Sequence, residues 1–135
     1  MNLLDVNALV ALAWDSHVHH ESVTRWFDSS QEPWCTCAVT EAGFVRVSAN
    51  PKVLPGAITV ADARDVLRRL RGVGDHRFLT NDVSQADPDL EPCHGHRQVT
   101  DLLLLAVARR AGARLLTFDA SLAAIAVDDA VLLVR

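Results

Sequence analysis

Four acidic residues stand inside or beside apolar segments, where an isolated negative charge is costly to keep. They are Asp5, Glu41, Asp101 and Asp119. Moving a carboxylate out of water is unfavourable unless it is paired, hydrogen-bonded or bound to a metal. The chain has 13 Lys and Arg residues, of which only Lys52 is a lysine, and too few lie near these positions to neutralise all four acids. The combination predicts a site for a divalent metal ion.

The elements that position these acids alternate between short apolar segments and helical patterns, which predicts an α/β fold. Continuous apolar runs, typical of strands covered on both faces of a parallel sheet, occur at Asn2–Asp5, Trp34–Cys37, Arg77–Thr80, Arg114–Phe118 and Ala130–Val134. Helical patterns cover Ala8–Trp14, Val18–Asp28, Glu41–Ser48, Val60–Arg71 and Val99–Arg110, and a short one begins at Ser121. The polar stretch Asn81–His96 is predicted to be a loop. We expect one domain, residues 1–135, with three α/β/α layers and a central parallel sheet of about five strands.

This order of elements predicts that the four acids meet at one edge of the sheet. Asp5 and Asp119 end the first and fourth predicted strands, and ligands of open α/β sheets collect outside the carboxyl ends of the strands. Glu41 and Asp101 fall in the first turns of helices that begin at the same edge, where the helix N-terminus favours a carboxylate. A cluster of carboxylates suits Mg²⁺ or Mn²⁺. One or two such ions can activate water and stabilise an in-line displacement at a phosphodiester.

Two polar neighbours are candidates for supporting roles at such a site. Asn7 follows Asp5 by two residues, and Thr117 precedes Asp119 by two. Either side chain can orient a metal ligand or position the attacking water. The alternative for the threonine is ordinary strand filling, and both interpretations stay open at this stage.

Net charge neither requires nor excludes a nucleic-acid substrate. The formal net charge is -4 at pH 7, whereas general nucleic-acid binders usually carry a basic footprint. Removing the four highlighted acids from the 17 Asp and Glu leaves 13, which equals the 13 Lys and Arg. A helical face that carries Arg64, Arg68 and Arg71 is either a solvated charged surface or a contact for an RNA backbone.

Cysteine content and hydropathy favour a cytoplasmic protein. The three cysteines, an odd number, fit a reduced compartment better than a set of disulfides. Cys35 and Cys37 alternate with period two and are expected to point to the same side of a strand, as core residues. No apolar run reaches the length of about 18 residues that spans a membrane. No basic segment precedes an apolar stretch at the N-terminus, so a secretory signal is not expected.

Taken together, these motifs resemble a known family. The segments LLDVNALVAL, VTEAGFVR and HRQVTDLLLLAVARRAGARLLTFD are similar to PIN-domain ribonucleases, and more closely to VapC-type toxins of bacterial toxin–antitoxin modules. The resemblance covers nearly the whole chain. It implies an endoribonuclease that depends on Mg²⁺ or Mn²⁺, with Asp5, Glu41, Asp101 and Asp119 as metal-binding and catalytic acids. It also implies a homodimer, a cognate VapB-like antitoxin whose C-terminal segment enters the active-site groove, and structured RNA such as tRNA or rRNA as substrate.

Three other classes share parts of this pattern. A phosphatase of the haloacid-dehalogenase class needs an aspartate two residues after the first one, where this chain has Asn7. A response-regulator receiver domain needs a lysine after the last strand but one, and the single lysine is Lys52. A non-catalytic scaffold that binds a metal or a partner through the acids stays open as the alternative to the nuclease.

Overall fold

A five-stranded parallel sheet forms the centre of the computed structural model, in the part of the chain that it describes. The structure describes residues 1–80, 83–87, 90, 92–93, 95–126 and 131–134, with backbone alone for 131–133. The strands are β1 (Asn2–Leu4), β2 (Trp34–Cys37), β3 (His76–Leu79), β4 (Arg114–Thr117) and β5 (Val131–Leu133). Their order across the sheet is β3-β2-β1-β4-β5. The predicted α/β fold with a central parallel sheet is confirmed.

Helices cover both faces of this sheet and complete the predicted three layers. They are α1 (Val6–Ala13), α2 (His20–Ser29), α3 (Ala38–Ser48), α4 (Val60–Leu70), α5 (Val99–Arg110) and α6 (Ala120–Ile125), and a 3₁₀ turn, His96–Gln98, precedes α5. Side chains alternate along each strand. Leu3 therefore packs with Leu115 in the core beneath α5 and α6, whereas Leu4 packs with Leu116 in the core beneath α1 to α4. None of the helices in the described ranges is long and apolar enough to cross a membrane.

The starts of α1 and α3 differ from the predicted ones by two or three residues, because side-chain hydrogen bonds set them. Helix α1 begins two residues before the predicted Ala8, since the Asp5 carboxylate accepts the Ala8 backbone N–H at 2.7 Å. Helix α3 begins three residues before Glu41, because Thr40 accepts the Cys37 backbone N–H at 3.0 Å. Strand β3 runs one residue earlier than predicted. In the predicted fifth strand, Ala130 lies outside the described residues, as do several positions of the predicted loop Asn81–His96.

The cysteines of β2 lie where the alternating pattern predicted. Cys35 and Cys37 are both fully buried in the core beneath α5 and α6. Their shared direction leaves Trp34 and Thr36 on the opposite face of β2, which is covered by α1 to α4. Thr36 is thereby a buried hydroxyl in an apolar layer, and it needs a hydrogen-bond partner there.

Candidate active site

Asp5 is the most buried of the candidate acids, with 7% of its surface exposed. It follows β1 directly, and its backbone N–H donates to the Leu116 carbonyl of β4 at 3.1 Å. Because Leu4 pairs with Leu116, Asp5 comes level with Thr117, whose side chain lowers the pKa of the Asp5 carboxyl. Burial raises the pKa of Asp5 to about 6, against the lowering effects of the Thr117 side chain and the Ala8 backbone N–H. The Ala8 backbone N–H thus holds the carboxylate in place, while burial disfavours its negative charge.

Thr117 joins Asp5 to Asp119. The Thr117 hydroxyl oxygen accepts the backbone N–H of Asp119 at 3.0 Å, and the same side chain faces Asp5 and lowers the pKa of its carboxyl. Asp119 is the N-cap of α6, where its Oδ1 accepts the backbone N–H groups of Ser121 at 2.8 Å and Leu122 at 3.1 Å. The cap uses Oδ1, so Oδ2 of Asp119 remains available to another donor or to an ion.

Asp101 lies in the first turn of α5 and lines a cavity together with Asp119. The cavity measures about 190 Å³, and its other polar lining residues include Arg97, Gln98 and Ser121. Partial burial and the nearby negative charge of Asp119 raise the pKa of Asp101. Asp101 and Asp119 also raise the pKa of Asp5. The three aspartates therefore interact electrostatically, as expected for carboxylates gathered at one edge of the sheet.

Glu41 has a different environment from the three aspartates. Its Oε1 accepts the Thr36 hydroxyl hydrogen at 2.6 Å and lies 3.4 Å from a guanidinium nitrogen of Arg71. His76 Nε2 lies 2.8 Å from the same Thr36 oxygen. Helix α3 thus places Glu41 after β2 as predicted, but its carboxylate is engaged by Thr36 of β2 and by Arg71, the residue that follows α4.

Sequence reasoning did not connect Glu41 with Thr36 and His76. Thr36 carried one usable signal, since it is a polar residue at an inward position of an apolar strand. His76 carried none, because its contact depends on the pairing of β2 with β3. Asn7, the other predicted supporting residue, is exposed in the first turn of α1.

The donor chemistry of the three aspartates fits a hard divalent cation. Carboxylate oxygens are the ligands that Mg²⁺ and Mn²⁺ prefer, and burial, the main cause of the raised pKa of Asp5 and Asp101, disfavours an unpaired negative charge there. Among the described residues, no three Asp, Glu, His or Cys side chains are arranged so that they could hold one ion. The acids are therefore electrostatic neighbours that do not form a closed ligand shell in this structure.

Comparison with known proteins defines the class. Residues 3–128 match the PIN domain family, and the chain belongs to it. The fold agrees with the crystal structure of VapC20 from Mycobacterium tuberculosis, described as a sarcin-ricin loop cleaving toxin, at a TM-score of 0.63 and 13% sequence identity. That alignment covers 93% of this chain and 95% of VapC20. Identity this low supports the fold alone.

Curated relatives narrow the class further. The chain is 64% identical to ribonuclease VapC38 of M. tuberculosis H37Rv over 121 residues, which are 89% of this chain and 86% of the relative. It is 44% identical to ribonuclease VapC39 of the same strain over 125 residues, which are 90% of each chain. Within the PIN domain family, the protein is therefore a member of the VapC-type ribonuclease toxins.

Proposed function

We propose that this protein is a Mg²⁺- or Mn²⁺-dependent endoribonuclease and the toxin of a type II toxin–antitoxin system. Membership of the VapC-type PIN ribonucleases supports RNA cleavage. The observation that supports the metal dependence is geometric: Asp101 and Asp119 line one cavity, and the Asp119 backbone N–H bonds Thr117, which lies level with Asp5. Structured RNA such as tRNA or rRNA is the proposed substrate, and its cleavage would inhibit translation and growth in the cytoplasm.

In this proposal Asp5, Asp101 and Asp119 would hold the ion after their side chains turn toward it from the positions they have in this structure, and Glu41 is the fourth acid of the site. A divalent cation, when bound, supplies the charge that activates water and stabilises the phosphodiester in its transition state. Thr117, which lies level with Asp5 and lowers the pKa of its carboxyl, would orient that carboxylate. The N-cap of α6 orients Asp119 and leaves its second carboxylate oxygen free for a ligand role. Asn7, which is exposed and follows Asp5 by two residues, is proposed to position water or RNA.

The proposed function is tested with purified protein freed of any antitoxin. Total cellular RNA is incubated with it in Mg²⁺, in Mn²⁺ and in chelator, and the Asp101→Asn variant is run in parallel. We expect discrete products that require the metal and Asp101, and sequencing of the cut ends identifies the RNA. Products that persist in the variant would indicate a contaminating nuclease.

Metal binding has an independent readout in thermal stability. A ligand that binds only the folded state raises stability by RT ln(1 + [L]/Kd), which is about 2.7 kcal/mol at one hundred times Kd. We expect Mn²⁺ to raise the Tm of the wild type and to raise that of Asp101→Asn far less. A metal-induced Tm shift that occurs without RNA cleavage would favour the non-catalytic scaffold over the nuclease.

The proposed partners are a cognate VapB-like antitoxin and a second copy of the chain. A groove of about 710 Å³ between α3 and α4 is the candidate surface for the antitoxin segment, because an apolar floor that includes Val45 and Leu67 lies beside Glu41. Coexpression with a candidate VapB-like antitoxin tests the first partner, and light scattering of the purified toxin tests the dimer. Ala42→Arg, in the groove wall, is expected to abolish antitoxin binding and to leave the mass of the free toxin unchanged.

A further inference from the structure

Two arginines of helix α4 and the arginine that caps its C-terminus line one shallow cavity outside the aspartate cluster. Arg64, Arg68 and Arg71 follow one another at intervals of four and three residues, which places them on one face of the helix. They line a cavity of about 250 Å³ whose fourth lining residue is the apolar Leu67. The cavity therefore has an apolar floor and guanidinium walls.

Arg71 is held in place from two sides. Its guanidinium lies 3.4 Å from the Glu41 carboxylate and stands 5.3 Å from the centre of the Phe78 ring. Glu41 is itself fixed by the Thr36 hydroxyl at 2.6 Å. A guanidinium has five N–H donors, so one ion pair leaves most of them available. An arginine fixed in this way loses less side-chain entropy when it binds an anion.

The other two arginines are available to a ligand for different reasons. Arg68 is paired with Asp65 one turn earlier, but both groups are exposed, and such pairs contribute little to stability. Arg64 has no ion-pair partner among the residues that the structure describes. Two carboxylates thus contact three guanidinium groups, which leaves the face with net positive charge.

We propose that this face of α4, formed by Arg64, Arg68 and Arg71, binds the phosphate backbone of the RNA substrate. The proposal rests on the proposed nuclease function. A guanidinium forms bidentate hydrogen bonds to phosphate. Phosphate contacts of this kind position an RNA without reading its sequence. Because the chain is acidic overall, a local basic face supplies an attraction for RNA phosphates that the aspartate cluster does not supply.

The test measures binding of a fluorescein-labelled, mixed-sequence RNA oligonucleotide by fluorescence anisotropy, in chelator and over a series of salt concentrations. The variants are Arg64→Gln and Arg68→Gln. Each lost phosphate contact reduces the slope of log K against log salt by about 0.7 to 0.9. At physiological salt this corresponds to a roughly fivefold loss of affinity for each arginine.

Arg69→Gln is the matched control, since it makes the same change of charge on the same helix. Arg69 lines a different surface, with Trp14 and Val73. We expect Arg69→Gln to keep the wild-type affinity and slope. Equal losses in all three variants would mean that net charge alone sets the affinity, and would overturn the proposal.

Two further measurements test whether the Phe78 ring supports Arg71 and whether a free anion competes with the RNA. Phe78→Leu keeps every charge and removes the ring beneath Arg71, so we expect a few-fold loss of affinity with an unchanged salt slope. Inorganic phosphate at matched ionic strength should not displace the RNA. Equal displacement of RNA from the wild type and from Arg64→Gln would mean that the RNA is held by an anion site elsewhere, and would overturn the proposal.

Cleavage by the same proteins distinguishes this proposal from the proposed function. If the wild type cleaves RNA while Arg64→Gln and Arg68→Gln bind like Arg69→Gln, the nuclease stands and the backbone site is wrong. If the two variants lose affinity and slope as expected but no protein cleaves RNA, the face binds RNA and the nuclease assignment is wrong. Binding of an acidic antitoxin peptide that depends on Arg64, with no effect of Arg64 on RNA, would also overturn the proposal.

Discussion

Thr36 donates its hydroxyl hydrogen to the Glu41 carboxylate at 2.6 Å, and this bond determines the direction of a short relay. A hydroxyl has a single hydrogen, so the second contact of Thr36, at 2.8 Å to His76 Nε2, requires the histidine to donate. His76 therefore carries its hydrogen on Nε2. The hydrogen bonds of this relay run from His76 to Thr36 and from Thr36 to Glu41. Arg71 forms an ion pair with the Glu41 carboxylate at its end.

The relay predicts different outcomes for two substitutions of Thr36. Thr36→Val keeps the shape of the side chain but leaves the His76 donor and the Glu41 acceptor without their shared partner. We expect it to lower the free energy of unfolding by about 1–3 kcal/mol. Thr36→Ser keeps the hydroxyl and should cost less. Urea denaturation measures both, and equal losses in the two variants would show that packing at this position matters more than the hydroxyl.

The buried carboxyl group of Asp5 predicts that the folded protein becomes less stable as the pH rises. Its pKa is about 6 in the folded protein, above its ordinary value near 4 in an unfolded chain. The stabilising contribution of the protonated form is fully present below about pH 4 and is lost as pH rises through 6. The free energy of unfolding is therefore lower well above pH 6 than below pH 4, by roughly 3 kcal/mol for a buried group.

Asp5→Asn tests this dependence, because asparagine caps a helix about as well as aspartate. In chelator at pH 8 the variant should be more stable than the wild type by up to about 3 kcal/mol, or on the order of 10 °C in Tm. At pH 4 the two proteins should melt at nearly the same temperature. A constant difference across this pH range would show that the carboxylate charge is not responsible.

The neighbourhood of Asp5, Thr117 and Asp119 could be predicted from the sequence because strand patterns determine it. Apolar runs located β1 and β4, and parallel pairing places residues that follow their ends side by side. The short Asp and Thr side chains have little freedom to depart from that position. Asp101 also followed, since it opens a helix that the sequence predicted at its observed bounds.

The surroundings of Glu41 could not be predicted for a physical reason. Its longer side chain starts from a helix and turns toward whichever partners the tertiary structure provides. Those partners are Thr36 on β2 and Arg71, which lies 30 positions further along the chain (71 − 41). The start of α3 was predicted late for a related reason, since its cap involves Cys37, which is not among the usual capping residues.

The contrast between Glu41 and Asp101 predicts unequal effects on metal affinity. Asp101→Asn removes a carboxylate of the coupled cluster, and we expect it to weaken Mn²⁺ binding by about 100-fold or more. Glu41→Gln removes a carboxylate that is engaged by Thr36 and Arg71. A loss of about tenfold is expected for such a supporting group. Isothermal titration calorimetry measures both affinities. Equal losses of affinity would show that Glu41 breaks its ion pair with Arg71 and binds the ion directly.

Replacing Gly43 by alanine is predicted to cause a steric clash where α3 crosses α1. A Cβ atom at position 43 would lie 2.5 Å from one methyl group of Val6, which is far too close for an undisturbed contact. Val6 is β-branched and cannot easily rotate away. Overpacking of this kind costs about 1–3 kcal/mol, which exceeds the gain of about 1 kcal/mol from replacing glycine by alanine in a helix. We therefore expect Gly43→Ala to be less stable than the wild type in urea denaturation.

A second substitution at Val6 shows whether the clash is the cause. Val6→Ala removes both methyl groups that the new Cβ would meet. The double variant should therefore be more stable than the sum of the two single effects predicts, by about 1 kcal/mol or more for contacting residues. Because Val6 is adjacent to Asp5, a shift of α1 in Gly43→Ala should also weaken Mn²⁺ binding, and Val6→Ala should restore it. Additive stabilities would place the cost of Gly43→Ala elsewhere in the packing of α3.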